Sequence, residues 1–135
     1  MLRSLSLRDY MLKNPATVRP EASVIEAINI IIENRISGLC VVDGHGHLVG
    51  VLSEMDCLRA VLNAVYNKAG MGQVCDYMTH DKLITAPPEE DIVDIAQDML
   101  ANNMRRRPVV DGGRLVGQIT CRQLLKAVRD YDGRR

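Results

Sequence analysis

Apolar and polar positions along the chain alternate between two periods, and they do so twice. Leu39-Cys40-Val41-Val42 is a short apolar run and Leu48-Val49-Gly50-Val51-Leu52 another, with Asp43-Gly44-His45-Gly46-His47 between them. Two β-prone runs separated by Gly- and Asp-rich residues predict a hairpin. Ser53 then offers a hydroxyl where the period changes to helical, and a second helix is predicted from about Glu54 through Tyr66, before Gly70 and Gly72. Upstream, Ala16-Thr17-Val18 is a candidate strand. Ser23 with Glu26 three residues on is a capping-box signature for a helix over roughly 24–35, ended by Ser37-Gly38. That helix carries Ile25, Ile28 and Ile32 on one stripe, with Val24, Ala27, Ile30 and Ile31 widening it, so it is expected to bury more than one face. Asp9-Tyr10-Met11 is expected to form a helical turn ended by Asn14-Pro15.

The chain repeats itself. Asp9-Tyr10-Met11 matches Asp76-Tyr77-Met78 at an offset of 67 residues, and Leu48-Val49-Gly50 matches Leu115-Val116-Gly117 at the same offset. Thr17, Pro20, Glu21, Asn34, Val41, Val42 and Asp43 match Thr85, Pro88, Glu89, Asn102, Val109, Val110 and Asp111 at 68. Ile25, Ile31 and Ile32 fall opposite Val93, Met99 and Leu100 of a helix expected over 92–104, with Asp91 in the place of Ser23 as its cap. The one-residue slips lie in loops, where insertions are tolerated. The fold class is therefore α/β, two β-α-β-β-α repeats, with the first over 8–62, a connection over 63–75 and the second over 76–130. Each is small for a core of its own, so the two are expected to pack together with pseudo-twofold symmetry.

Composition narrows the function. The core must be aliphatic, since 135 residues include no Trp, no Phe and only four Tyr at 47% hydrophobic content. Lys plus Arg balance Asp plus Glu at 17 each, which argues against duplex nucleic acid as a partner. Scarce aromatics argue against base stacking on single strands. The N-terminal MLRSLSLRDYMLK lacks a leader's apolar centre, and no run approaches the ~20 residues of a membrane span. A cytoplasmic protein without membrane insertion is expected. Cys40, Cys57, Cys75 and Cys121 show no CxxC spacing, which favours free thiols over disulfides or zinc.

The ordered set Tyr-Met, ISGLCVVD (Ile36 to Asp43), LVGVLSEMD (Leu48 to Asp56), RRRPVVD (Arg105 to Asp111) and LVGQITCRQ (Leu115 to Gln123) resembles a tandem pair of cystathionine β-synthase (CBS) domains, a Bateman module. The resemblance spans about residues 8–130. It implies a regulatory module without catalysis of its own, clefts between the repeats for an adenosine-containing ligand (AMP, ADP, ATP, S-adenosylmethionine or an NAD-like molecule), and a regulated enzyme or transporter as partner. A homodimer is expected, and the apolar helices over 24–35 and 92–104 suit such pairing.

By that resemblance the ligand residues are Thr17, Gly38, Leu39, Cys40, Ser53 and Asp56 in the first repeat, and Thr85, Arg105, Arg107, Thr120 and Arg122 in the second. Ser53 and Asp56 match the family's ribose-holding pair, and a carboxylate accepts from both ribose hydroxyls. The same S-x-x-D is also a helix cap, as Thr120-x-x-Gln123 is, and the two readings are compatible. Gln123 departs from the acidic pattern, so the second cleft is expected to bind less well. Gly38 reads either as a close approach for adenine or as a helix C-cap; its counterpart is Arg106. Cys40 stands where the second repeat has Pro108. Arg105-Arg106-Arg107 reads as a solvated face or a polyphosphate site, and Arg122, in a helix's first turn, as a phosphate contact that Met55 cannot replace. His45-Gly46-His47 lacks a third ligand for a metal. Two rivals stand beside the nucleotide sensor: a ligand-free dimerisation module, and, more remotely, a small enzyme.

Overall fold

Ser53 ends a strand and caps a helix in the same residue, and each repeat is built around such a junction. The computed structural model describes residues 4–132. Residues 1–3 of the N-terminal stretch weighed above as a leader lie outside them. The described residues divide into two compact units, one formed by 16–83 and the other by 4–15 with 84–132.

In the unit formed by 16–83, β2 (Thr17–Val18), β3 (Gly38–Val42) and β4 (Leu48–Ser53) form one sheet in the order β2-β3-β4. β2 runs parallel to β3, and β3 pairs antiparallel with β4 with a register shift at Val41/Val42. α1 (Val24–Asn34) connects β2 to β3, and α2 (Glu54–Asn67) follows β4 directly. Val24, Ala27 and Ile31 of α1 pack with Val18, Leu39, Val41, Leu52, Cys57, Ala60 and Val74 in an aliphatic core. Ser23 accepts from the Glu26 backbone N–H at 3.2 Å, the expected cap. The core face of α1 differs from the stripe predicted: Ile25 and Ile32 are exposed. Gly38 is not the helix's C-cap. Arg35 takes the left-handed conformation there, at φ 54° and ψ 46°, and Gly38 begins β3.

The other unit repeats this plan with α3 (Ile92–Ala101), β5 (Arg106–Asp111), β6 (Arg114–Thr120) and α4 (Cys121–Asp132). Asp91 caps α3 by accepting from Val93 N–H at 2.7 Å. α3 stops short of the expected residue 104 because Asn102 turns its side chain back onto Asp98 O at 2.9 Å and Asn103 adopts φ 52°. The expected first strand of this repeat shrinks to one parallel bridge, Ala86 with Val109. Leu7, Met11, Ala86, Ile92, Ile95, Met99, Val109 and Ile119 form its core.

The Asp-Tyr-Met segments are exchanged relative to the sequence repeats. The helical turn Leu7–Asp9 and strand β1 (Leu12–Lys13) open the first repeat in sequence, yet β1 pairs with β6 of the second, Leu12 opposite Gln118. The matching turn Val74–Asp76 opens the second repeat, and Thr79 bridges to Val51 of the first through two bonds of 2.9 Å. Periodicity missed both additions, because two-residue strands carry no alternation to read. Each segment lays a methionine over a glycine. A Cβ at Gly50 would sit 2.7 Å from Met78 Sδ and 3.0 Å from Thr79 O; one at Gly117 would sit 2.6 Å from Met11 Sδ and 2.9 Å from Leu12 O. The carbonyls belong to paired backbone and cannot yield as a side chain can.

Gly50→Ala and Gly117→Ala should each therefore cost about 1–3 kcal/mol by overpacking. Gly70→Ala, where an added Cβ meets nothing within 4 Å, should change stability by less than about 1 kcal/mol. Urea unfolding of the three variants checks the contrast; equal midpoints would refute the clamp.

Candidate functional site

In the 16–83 unit, the end of β4 and the start of α2 bring together most of the first-repeat residues singled out above. Gly38 pairs with Ser53, Leu39 with Leu52, and Thr17 with Cys40, so one end of the sheet gathers all five named strand residues. Glu54 N–H donates to Ser37 O at 3.0 Å, stitching the first turn of α2 to the residue before β3. Leu39 and Cys40 are buried, with Leu39 in the core, which leaves the backbone as Leu39's means of meeting a ligand.

Ser53 and Asp56 form a reciprocal capping box. Asp56 N–H donates to Ser53 Oγ at 3.1 Å, and Ser53 N–H donates to Asp56 Oδ2 at 2.9 Å. Two donors that a helix start leaves without partners are thereby satisfied. The other carboxylate oxygen, Oδ1, accepts from the Arg59 guanidinium one turn along α2. Asp56 is only 5% exposed, whereas the Arg59 side chain is 62% exposed. A buried carboxylate at a helix N-terminus gains from the amide dipoles there, and two acceptors on one rigid group suit a vicinal diol. Sequence reasoning missed Arg59, although its i, i+3 spacing from Asp56 is the signal that finds such pairs. Burial raises the Cys57 thiol's pKa, with the charges of Asp56 and Glu54 adding to it, so this neighbour stays protonated and unreactive.

The other unit presents the matching arrangement with different chemistry. Arg106 pairs with Thr120, and Cys121 N–H donates to Arg105 O at 3.0 Å. Gln123 occupies the place of Asp56: its Oε1 accepts from Thr120 N–H at 2.9 Å, and its own N–H donates to Thr120 Oγ1 at 3.2 Å. The expected cap is formed, but by a neutral amide. Thr85 lies half-buried beside the Ala86 bridge, and Arg105 and Arg122 are exposed, without an ion pair among the described residues.

Arg107 departs from both readings of the arginine run. It is neither solvated nor open to a phosphate. Arg105 lies before β5 and is exposed, whereas Arg107, the second residue of β5, packs inward, 4% exposed, where its Nη2 meets Asp98 Oδ2 at 2.6 Å. Its Nε is buried with no hydrogen-bond partner among the described residues. The repeat explains this choice. At the 68-residue offset, Arg107 corresponds to Leu39 and Asp98 to Ile30, both packed apolar side chains in the first repeat. An aliphatic pair has been replaced by an ion pair, a substitution visible only once both helix and strand positions are aligned.

The His45-Gly46-His47 turn is organised by Asp43, whose Oδ1 accepts from the backbone N–H of His45 at 2.8 Å and of His47 at 3.0 Å. The His47 and then the His45 bond hold this exposed carboxyl below its usual pKa. Among the described residues, no group of three or more His, Cys, Asp or Glu is arranged to hold a metal ion, and no helix is long and apolar enough to cross a membrane. All four cysteines are free thiols.

The sequence profile of the CBS domain matches residues 7–63 and again 74–130. The chain belongs to the CBS-domain family. Among solved structures it is similar to CBSX2 in complex with AMP, 30% identical with a TM-score of 0.84 over 96% of this chain and 99% of that one; a CBSX2 crystal structure comes from Arabidopsis thaliana. It is similar also to the CBS domain pair of protein MJ0100, in complex with 5′-methylthioadenosine and S-adenosyl-L-methionine, 30% identical with a TM-score of 0.77 over 96% of this chain and 98% of that one. Inosine-5′-monophosphate dehydrogenase of Aquifex aeolicus is 36% identical over 118 residues, 86% of this chain and 23% of the enzyme. The chain spans less than half the length of this and other curated relatives it matches.

The Asp98–Arg107 pair makes a sharp prediction within this CBS repeat. Asp98→Ala takes from the buried guanidinium its half-exposed partner and should cost about 1–3 kcal/mol. The double variant Asp98→Ile/Arg107→Leu, which restores the first repeat's pair, should match wild type or exceed it. Chemical denaturation of the single and double variants checks this; a double variant as unstable as the single one would contradict it.

Proposed function

We propose that this CBS pair is a regulatory module that binds an adenosine nucleotide (AMP, ADP or ATP) and transmits its presence to a partner enzyme or transporter. The observation that carries the reading is the Asp56 carboxylate, held rigid by the Ser53 capping box at a strand–helix junction, in a family where neighbours 30% identical bind AMP or S-adenosyl-L-methionine. In this proposal Asp56 accepts from the ribose hydroxyls, Ser53 assists, and the backbone of Gly38 to Cys40 with Thr17 frames the base. Gly38, without a side chain, allows a ring to approach the strand. Arg105 and Arg122 are exposed cations proposed for a phosphate at the second repeat's own junction, while Arg107 is committed to Asp98. Binding acts on a partner only through unequal affinity for two arrangements of the protein. The site of action proposed is the cytoplasm.

A second reading, a ligand-free dimerisation module, is favoured by one specific observation. Met55, Leu58, Leu62, Val65 and Tyr66 line α2 at helical spacing and are exposed, as are Ile25 and Ile32 of α1 and Val93 and Leu100 of α3. Exposed apolar side chains at such spacing suit a homodimer, which is proposed under either reading.

The readings separate on two measurements. Calorimetric titration with AMP should show a tighter event that Asp56→Ala weakens at least several-fold, because a charged acceptor contributes about 1–2 kcal/mol more than a neutral one. The same variant should lose about 1 kcal/mol of stability as a cap is removed. Normal AMP binding by Asp56→Ala would leave Asp56 a cap alone and put the second reading ahead. Sedimentation at micromolar concentration should return twice the mass of one chain; a clean monomer would remove the dimer.

A further inference from the structure

Arg59 has no assigned part in the proposed ribose contact, yet it occupies the one Asp56 oxygen that the backbone leaves open. The two halves of this ion pair are unlike. Asp56 is 95% buried and fixed by two backbone bonds, whereas the arginine arm lies mostly in solvent and is held by this pair alone among the described residues. A guanidinium this exposed is hydrated on its outer side and can turn to another anion within reach of its flexible arm. The internal repeat supports a functional link: at the 67-residue offset Gln123 corresponds to Asp56 and Lys126 to Arg59, and among the described residues no ion pair forms there. The guanidinium and the carboxylate occur together, in one repeat.

We infer that Arg59 selects the charge of the ligand, favouring adenosine ligands with an anionic 5′ group over those with a cationic one. The inference rests on the ribose reading of Asp56. When a ribose hydroxyl takes Oδ1, the guanidinium gives up that oxygen but stays tethered one helical turn away. A phosphate on the ribose supplies the planar guanidinium with a new two-bond partner. A sulfonium repels it, and a neutral 5′ group offers it nothing. Met55 stands where the second repeat has Arg122 and supplies no charge, so Arg59 is the first repeat's cation at this junction. Glu54, the other ionisable side chain of the first turn, carries the opposite sign.

The test is a ratio. Affinities for AMP and for S-adenosyl-L-methionine are measured by calorimetry on the full chain in wild type, Arg59→Met, Arg59→Lys and Asp56→Asn. Wild type should prefer AMP. Arg59→Met should shrink the AMP-to-S-adenosylmethionine ratio roughly tenfold, the loss of one charge-assisted contact, and Arg59→Lys should keep most of it. A merely structural role would move both affinities together and leave the ratio alone. An unchanged ratio in Arg59→Met overturns the inference. If Asp56→Asn weakens both ligands while the Arg59 ratio is unchanged, the ribose reading stands and only the selection by Arg59 falls. If Asp56→Asn weakens neither, or wild type binds neither, the ribose reading falls and the inference with it.

Discussion

The reciprocal hydrogen bonds between Ser53 and Asp56 hold the functional end of the first repeat in place. They satisfy backbone donors of β4 and α2 at once, so the chain passes from strand to helix without a connecting loop. That economy has a chemical consequence. A carboxylate enters a nearly buried position, is oriented by the backbone on one oxygen, and keeps its second oxygen for a movable partner. A longer connection would have left the same aspartate solvated and free to rotate. The structural cap and the proposed ligand-holding group are therefore one residue.

The second repeat shows what changes when that group is neutral. Thr120 and Gln123 build the same cap with an amide oxygen, which proves that capping alone does not require a charge. The repeat then spends its charges elsewhere: Arg107 is drawn into the core against Asp98, in positions that hold Leu39 and Ile30 in the first repeat. A buried ion pair is a weak source of stability, so its presence marks divergence between the copies. Two copies of one plan have become a junction with an acidic centre and a junction with a polar, arginine-flanked one.

Much of this was legible in the sequence because it is local. The hairpins follow from Gly- and Asp-rich turns between apolar runs, the caps from Ser23, Ser53 and Asp91, and the duplication from offsets that slip only in loops. The exchange of the Asp-Tyr-Met segments was not legible, since Leu12 opposite Gln118 and Thr79 opposite Val51 are pairings across distant sequence with no periodic signature. The wide apolar face of α1 was legible but its division was not: hydrophobic spacing marks which residues are apolar, while the sheet decides that Val24, Ala27 and Ile31 are covered and that Ile25 and Ile32 are not. In the candidate site, Ser53 and Asp56 were found by motif. Arg59 was passed over although its spacing announced it, and Arg107 was misjudged because a run of like charges gives no sign of which member packs inward.

The central claim is that the carboxylate at the first strand–helix junction is the ribose-holding group and that the two repeats are unequal because of it. Amide NMR during a titration with AMP tests this most directly, because it reports each junction separately. The account predicts that the amides of Ser53 to Asp56 shift first, at concentrations where those of Thr120 to Gln123 are unmoved. Shifts that begin at Thr120 to Gln123, or a saturating titration that leaves Ser53 to Asp56 untouched, would contradict it.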